Sequence, residues 1–272
     1  MYIFMRKTYL ILIILIILSV SYLFLQCAEL YNFSNVIMAL VVPFICVFYL
    51  STHKNPKLYF TAFLTLFSLA HILAFFSETE YLHENLIYFL GNFLYISAYM
   101  SLIFGVFKGM YYKDIIPRFN LTIIILLLLN SYVLFSLVNG DLAINSPSTE
   151  TVIGAQETSK YVGTITLEAD ALPLEDTTAS IVLEFVYNLV ILILLNVAFI
   201  NYLYKDNTRS FFLFIGALCV FFSEIIQYVT RFPSEEISLN IICFLLIVSG
   251  FMCFYLFAIQ NATKNVKMVE LD

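Results

Sequence analysis

The stretch Gly216–Phe232, GALCVFFSEIIQYVTRF, decides the fold class. It reads as the outer two-thirds of a membrane-crossing helix, an apolar run into which one carboxylate, Glu224, is set. A charge in hydrocarbon is costly, so an ionisable residue within a span faces the bundle interior and marks a functional site. Such a group either pairs with a partner or holds its proton. An acid that holds its proton at neutral pH is what general-acid catalysis requires.

The rest of the chain has the same character. Of its 272 residues 62% are hydrophobic and 12% charged, with 28 Phe, 19 Tyr and no Trp. Soluble domains are about a quarter charged, so the composition is that of an integral membrane protein. About 20 apolar residues cross the hydrocarbon. By that measure eight segments qualify: 8–25, 34–51, 58–77, 85–107, 119–138, 179–203, 209–230 and 237–259. The fold class expected is all-α, a polytopic helix bundle in a single transmembrane domain spanning 1–272. The first segment follows Arg6 and Lys7 in the manner of a leader, but Leu25-Gln26-Cys27 is a poor lipobox, and it reads as a retained span.

Basic residues set the orientation. With the N-terminus inside, the inner flanks hold Arg6, Lys7, Lys54, Lys57, Lys108, Lys113, Arg118, Lys205, Arg209, Lys264 and Lys267, and the outer ones only Lys160 and Arg231. Glu78, Glu80, Glu84, Glu235 and Glu236 fall outside. Both termini are therefore expected in the cytoplasm, and the chain in the cell (inner) membrane. Residues 139–178, between the fifth and sixth segments, form an acidic Ser/Thr-rich outer loop in which Tyr161–Leu167 has strand-like residues. The five cysteines have no metal or disulfide spacing, and no phosphate loop or basic nucleic-acid patch is present. No cofactor, metal or nucleic-acid partner is expected.

Four polar residues share a depth. His71 in the third segment, Asn92 in the fourth, Glu184 in the sixth and Glu224 in the seventh each lie about six or seven residues from the outer end of their helix. At 1.5 Å per residue that is on the order of 10 Å below the surface. Helical neighbours extend each face: Ser68 before His71; Tyr88, Tyr95 and Tyr99 around Asn92; Asn188 and Asn196 after Glu184; Ser223, Gln227 and Tyr228 beside Glu224. Packing between helices is the alternative use of such groups, and it suits Asn130, Asn196 and Asn240 best.

These same segments carry a resemblance. Gly216-Ala217-Leu218, Ser223-Glu224 and Arg231-Phe232, then Gly91-Asn92, Tyr95-Ile96 and Ala98-Tyr99, and Phe67-Ser68-Leu69, resemble the lysoplasmalogenase-like (YhhN-type) family of eight-helix membrane proteins. The likeness runs in order over most of residues 55–232, with Tyr187 loosely compatible. Where that family has aspartates this chain has Glu224 in the seventh segment and Ala70-His71-Ile72 in the third. Asn92 stands for a histidine, the Ala-Gln of the last helix is not found near Ser249-Gly250, and the 139–178 loop is an addition. The resemblance implies hydrolysis of the vinyl-ether bond of a lysolipid. Glu224 would be the acid and His71 the base, with Ser68, Asn92, Tyr95, Glu184, Asn188, Ser223 and Gln227 around the substrate. A non-catalytic protein binding a lipid or amphiphile, and a small proton-coupled transporter, are the alternatives.

Overall fold

The structure, a computed structural model, describes residues 2–53, 55–77, 84–145, 174–230 and 237–260. These form α1 (Tyr2–Cys27), α2 (Tyr31–Thr52), α3 (Leu58–Ser77), α4 (Glu84–Phe107), α5 (Tyr112–Arg118), α6 (Asn120–Asn145), α7 (Leu174–Lys205), α8 (Thr208–Thr230) and α9 (Ile237–Ile259), with no strand among the described residues. The expected segments appear as α1–α4 and α6–α9, and the short α5 is additional. Seven of these helices are long and apolar enough to cross a membrane. In α6 the qualifying apolar stretch is the shorter Asn120–Ser136.

The helices associate as a ring. α1 packs on α2, α2 on α3, α3 on α4, α4 on α7, α7 on α8 and α8 on α9, and α9 closes the circuit against α1 and α2. α6 stands outside it, packed against α7 and α5. Its Leu121 is 72% exposed and its Phe135 68%, an apolar surface suited to lipid. In a bilayer little hydrophobic force draws helices together, so close packing must do it. Glycine supplies it where α8 crosses α9. A Cβ on Gly216 would lie 2.7 Å from the Phe254 ring and 3.1 Å from the Gly250 carbonyl. The centre is filled by rings: Phe63 stacks on Phe251 at 5.5 Å, and Phe67 meets Phe251 edge-on at 4.6 Å, joining α3 to α9.

Short links set the antiparallel neighbours. α1 ends in a Schellman-type turn, in which the Leu30 N–H reaches the Leu25 carbonyl and Glu29 takes a φ of 58°. Between α7 and α8, Asp206 has a φ of 41°, and the Asn207 side chain accepts the Ser210 N–H at 2.8 Å as an N-cap. One boundary needs correction. The expected loop of 139–178 is shorter, because α6 continues to Asn145 and α7 starts at Leu174. Polar residues beyond the hydrocarbon edge extend an existing helix cheaply, since only nucleation is costly. Residues 146–173, with the strand-like Tyr161–Leu167, lie outside the described residues.

Candidate functional site

The polar groups gather at the end of the ring where α3 and α8 finish and α4 and α7 begin. Glu224 on α8 is the focus. Its Oε1 accepts a hydrogen bond from the Tyr187 hydroxyl of α7 at 2.7 Å. Tyr95 and Tyr99 of α4 lie within electrostatic range of the same carboxyl. Tyr187 meets their rings at 6.3 and 6.2 Å. All three tyrosines are buried, whereas Glu224 is half-buried, between the exposed Phe222 and Ile225 of its own helix. A carboxyl is thus held by helices from both sides while part of it remains accessible.

His71 of α3 joins through the aromatic column. Its ring lies 5.1 Å from Phe67 and 5.7 Å, edge-on, from Tyr95. It is buried, and its path to Glu224 runs by way of Tyr95 and Tyr187. Imidazole and carboxyl therefore belong to one cluster, with tyrosine rings between them. Glu184, three residues before Tyr187, accepts from the Tyr88 hydroxyl at 3.2 Å and makes a second carboxyl–phenol pair, this one at the α4–α7 seam beside the α7–α8 seam of the first. Asn188 follows Tyr187 and is half-buried.

Other expected site residues have local partners. Asn92 donates from Nδ2 to the Tyr88 carbonyl of its own helix at 3.0 Å. Ser68 donates to the Leu64 carbonyl at 2.6 Å and Ser223 to Val220 at 2.7 Å. Such back-bonding within a helix satisfies a hydroxyl without presenting it to a ligand. Gln227 turns toward α9, where its Nε2 lies 3.2 Å from the Cys243 Sγ.

That contact extends the polar layer beyond the expected helices. Cys243 lies in range of both Glu224 and Tyr22 of α1. Gln26 donates to the Tyr22 hydroxyl at 3.1 Å and to the Ser34 Oγ of α2 at 3.0 Å, and Tyr22 stacks on Phe244 at 3.8 Å. A belt from α1 and α2 through α9 and α8 to α7, α4 and α3 thus crosses one end of the bundle. Sequence reasoning missed Tyr187, Gln26 and Cys243 as members. For Tyr187 there was a signal, its place on the α7 face that carries Glu184 and Asn188. Gln26 in an apolar run was a weaker one.

Chemically, a carboxyl beside three phenols can donate a proton, take one back and orient a polar head group. Among the described residues no three His, Cys, Asp or Glu side chains gather as a metal ion would need. No family model, curated protein or solved structure matches the chain.

Proposed function

We propose that the protein is a membrane-embedded lipid hydrolase of the lysoplasmalogenase-like kind, acting on the vinyl ether of a single-chain lipid. The supporting observation is the Glu224 carboxyl, bonded to Tyr187, within electrostatic range of Tyr95 and Tyr99, and half-buried at a depth an amphiphile's head region can reach. In this reading Glu224 delivers its proton to the enol-ether carbon remote from oxygen. The adjoining carbon becomes an oxocarbenium ion, water adds to it, and the carboxylate of Glu224 or His71 takes the proton that water gives up. The resulting hemiacetal collapses to a fatty aldehyde and the glycerophospho alcohol, so each turnover consumes one water. Tyr187 positions Glu224, and Tyr95 lies between Glu224 and His71. With both termini in the cytoplasm, as the basic flanks imply, the lipid enters from the outer leaflet of the cell membrane.

A second reading, a non-catalytic amphiphile-binding protein, is favoured by Asn92, Ser68 and Ser223, which each donate a hydrogen bond to a carbonyl of their own helix. One experiment separates the two. Purified protein is given lysoplasmalogen or, as a control, the acyl lysolipid, and aldehyde release is measured for wild type and Glu224→Gln. Aldehyde from the vinyl ether alone, lost in Glu224→Gln with lipid binding retained, is the expected result. Equal absence of aldehyde in both, with binding intact, transfers the site to the binder.

A further inference from the structure

The opposite end of the bundle, where α9 finishes, gathers positive charge. Lys57, just before α3, donates from Nζ to the Ala258 carbonyl at 2.5 Å. Arg209, in the first turn of α8, donates from Nε to the neighbouring Phe257 carbonyl at 3.1 Å, and its guanidinium lies 4.6 Å from the Phe257 ring centroid. Lys205, at the end of α7, completes the group. A Cβ on Gly109, in the turn after α4, would come within 3.3 Å of the Lys205 Nζ. The three cations are each half-buried.

The C-terminal ends of α9 and of α7, whose last turn holds Lys205, explain part of this. A helix C-terminus carries about half a negative charge and attracts cations. Here the two helix ends together bring about one negative charge against three positive ones. Arg209 acts electrostatically on both Lys57 and Lys205, so the cluster is also self-repelling. Buried or half-buried cations are ordinarily balanced by carboxylates. Among the described residues none forms an ion pair with these three. Asp206 lines the same surface depression as Lys205 and Arg209, which has a volume of about 460 Å³, and is exposed. Even with Asp206 counted, cations exceed anions by three to one among the described residues of this cluster.

We propose that Lys57, Lys205 and Arg209 form a phosphate-binding site at the membrane–water boundary on this face. Arg209 also hydrogen-bonds with the Tyr59 side chain, and it supports the assignment by the guanidinium N–H donors beyond those used for Phe257 and Tyr59, which suit phosphate oxygens. The lysines add charge without demanding geometry. A phosphate there cancels the mutual repulsion that the α9 carbonyls leave in place. Its source is either the head group of an acidic phospholipid, for which basic pockets between spanning helices are apt, or a free phosphate ester. The site is independent of the Glu224 cluster, at the other end of the bundle.

The test uses the full chain in nanodiscs of phosphatidylcholine, with or without phosphatidylglycerol. The melting temperature and the lipid retained in native mass spectra are the readouts. A second arm adds inorganic phosphate or glycerol phosphate to the phosphatidylcholine discs, against chloride at equal ionic strength. Stabilisation and retention with phosphatidylglycerol identify the lipid as the source, and protection by the soluble anions identifies a free ester. Lys205→Gln is expected to weaken either effect about fivefold, the equivalent of ~1 kcal/mol per basic residue at an acidic surface. Arg209→Gln should weaken it further, and Arg209→Lys should restore part. Lys205→Gln removes none of the helix-end hydrogen bonds described above, so a folding defect in Arg209→Gln leaves the test standing. The proposal is overturned if neither anion source has an effect, or if exposed Lys113→Gln weakens binding as much as Lys205→Gln.

Discussion

Replacing Tyr187 by Phe removes one hydroxyl and nothing else. The ring keeps its contacts with Tyr95 and Tyr99 at 6.3 and 6.2 Å, so the packing is conserved and the loss is that of the hydroxyl's bonds, the 2.7 Å one to Glu224 and a further one with the Tyr99 side chain, from which the cycle below isolates the first. A hydrogen bond between neutral partners contributes about 1 kcal/mol net, and one to a charged group about 1.5–3 kcal/mol. Between membrane helices the measured mean is lower, about 0.6 kcal/mol with a maximum near 1.7. The short distance and the crowding phenols argue for the upper part of that membrane range. A double-mutant cycle of Tyr187→Phe and Glu224→Gln, read by unfolding in micelles, should therefore return a coupling of about 1–1.7 kcal/mol. In the aldehyde assay Tyr187→Phe should lower turnover roughly tenfold, since 1.4 kcal/mol is a factor of ten, with substrate affinity little changed. A coupling below ~0.3 kcal/mol, which is ordinary additivity, would falsify the claim that the two side chains act as a unit.

Three further outcomes are expected. Gly216→Ala should cost roughly 1–3 kcal/mol by overpacking, because its Cβ meets the Phe254 ring at 2.7 Å; an unchanged melting temperature refutes the close α8–α9 crossing. Burial, and then Arg209, lower the Lys57 pKa from 10.5 to about 8. A lysine that resists its proton in the folded state detracts from stability below its folded pKa, so this group adds stability as pH rises from about 8 to 10.5. Melting curves of Lys57→Gln should lack that rise, and phosphate binding by wild type should weaken above about 8, where Lys57 becomes neutral. If α6 crosses the membrane, Asp141→Cys and Lys113→Cys, in a background cleared of native cysteines, should label from opposite sides; labelling from the same side leaves seven crossings.

Much of the fold was legible in the sequence. An apolar run long enough to cross a bilayer has to form a helix, because no water is available there for its backbone. Seven of the eight expected segments therefore reappear as helices of sufficient length, and the eighth as α6 with its shorter qualifying stretch. Where polar residues meet the membrane edge, composition says less, and α6 and α7 run further into 139–178 than hydropathy indicates. The site was legible in part. Glu224, Tyr95 and His71 do share a cluster, yet Asn92, Ser68 and Ser223 hydrogen-bond to carbonyls of their own helices.

Periodicity places a residue on a face of its own helix but leaves open what that face meets. The sequence alone therefore determined an all-helical chain of membrane character and the positions of its apolar helices. The tertiary structure decided that α9 closes the ring on α1 and α2, that α6 stands outside, and that the partner of Glu224 is Tyr187. Apolar helices follow from local solvation, one segment at a time. Partners depend on the rotation and neighbours of helices distant in the chain, which the packing of Gly216 against Phe254, and of each ring on the next, fixes only when all are assembled.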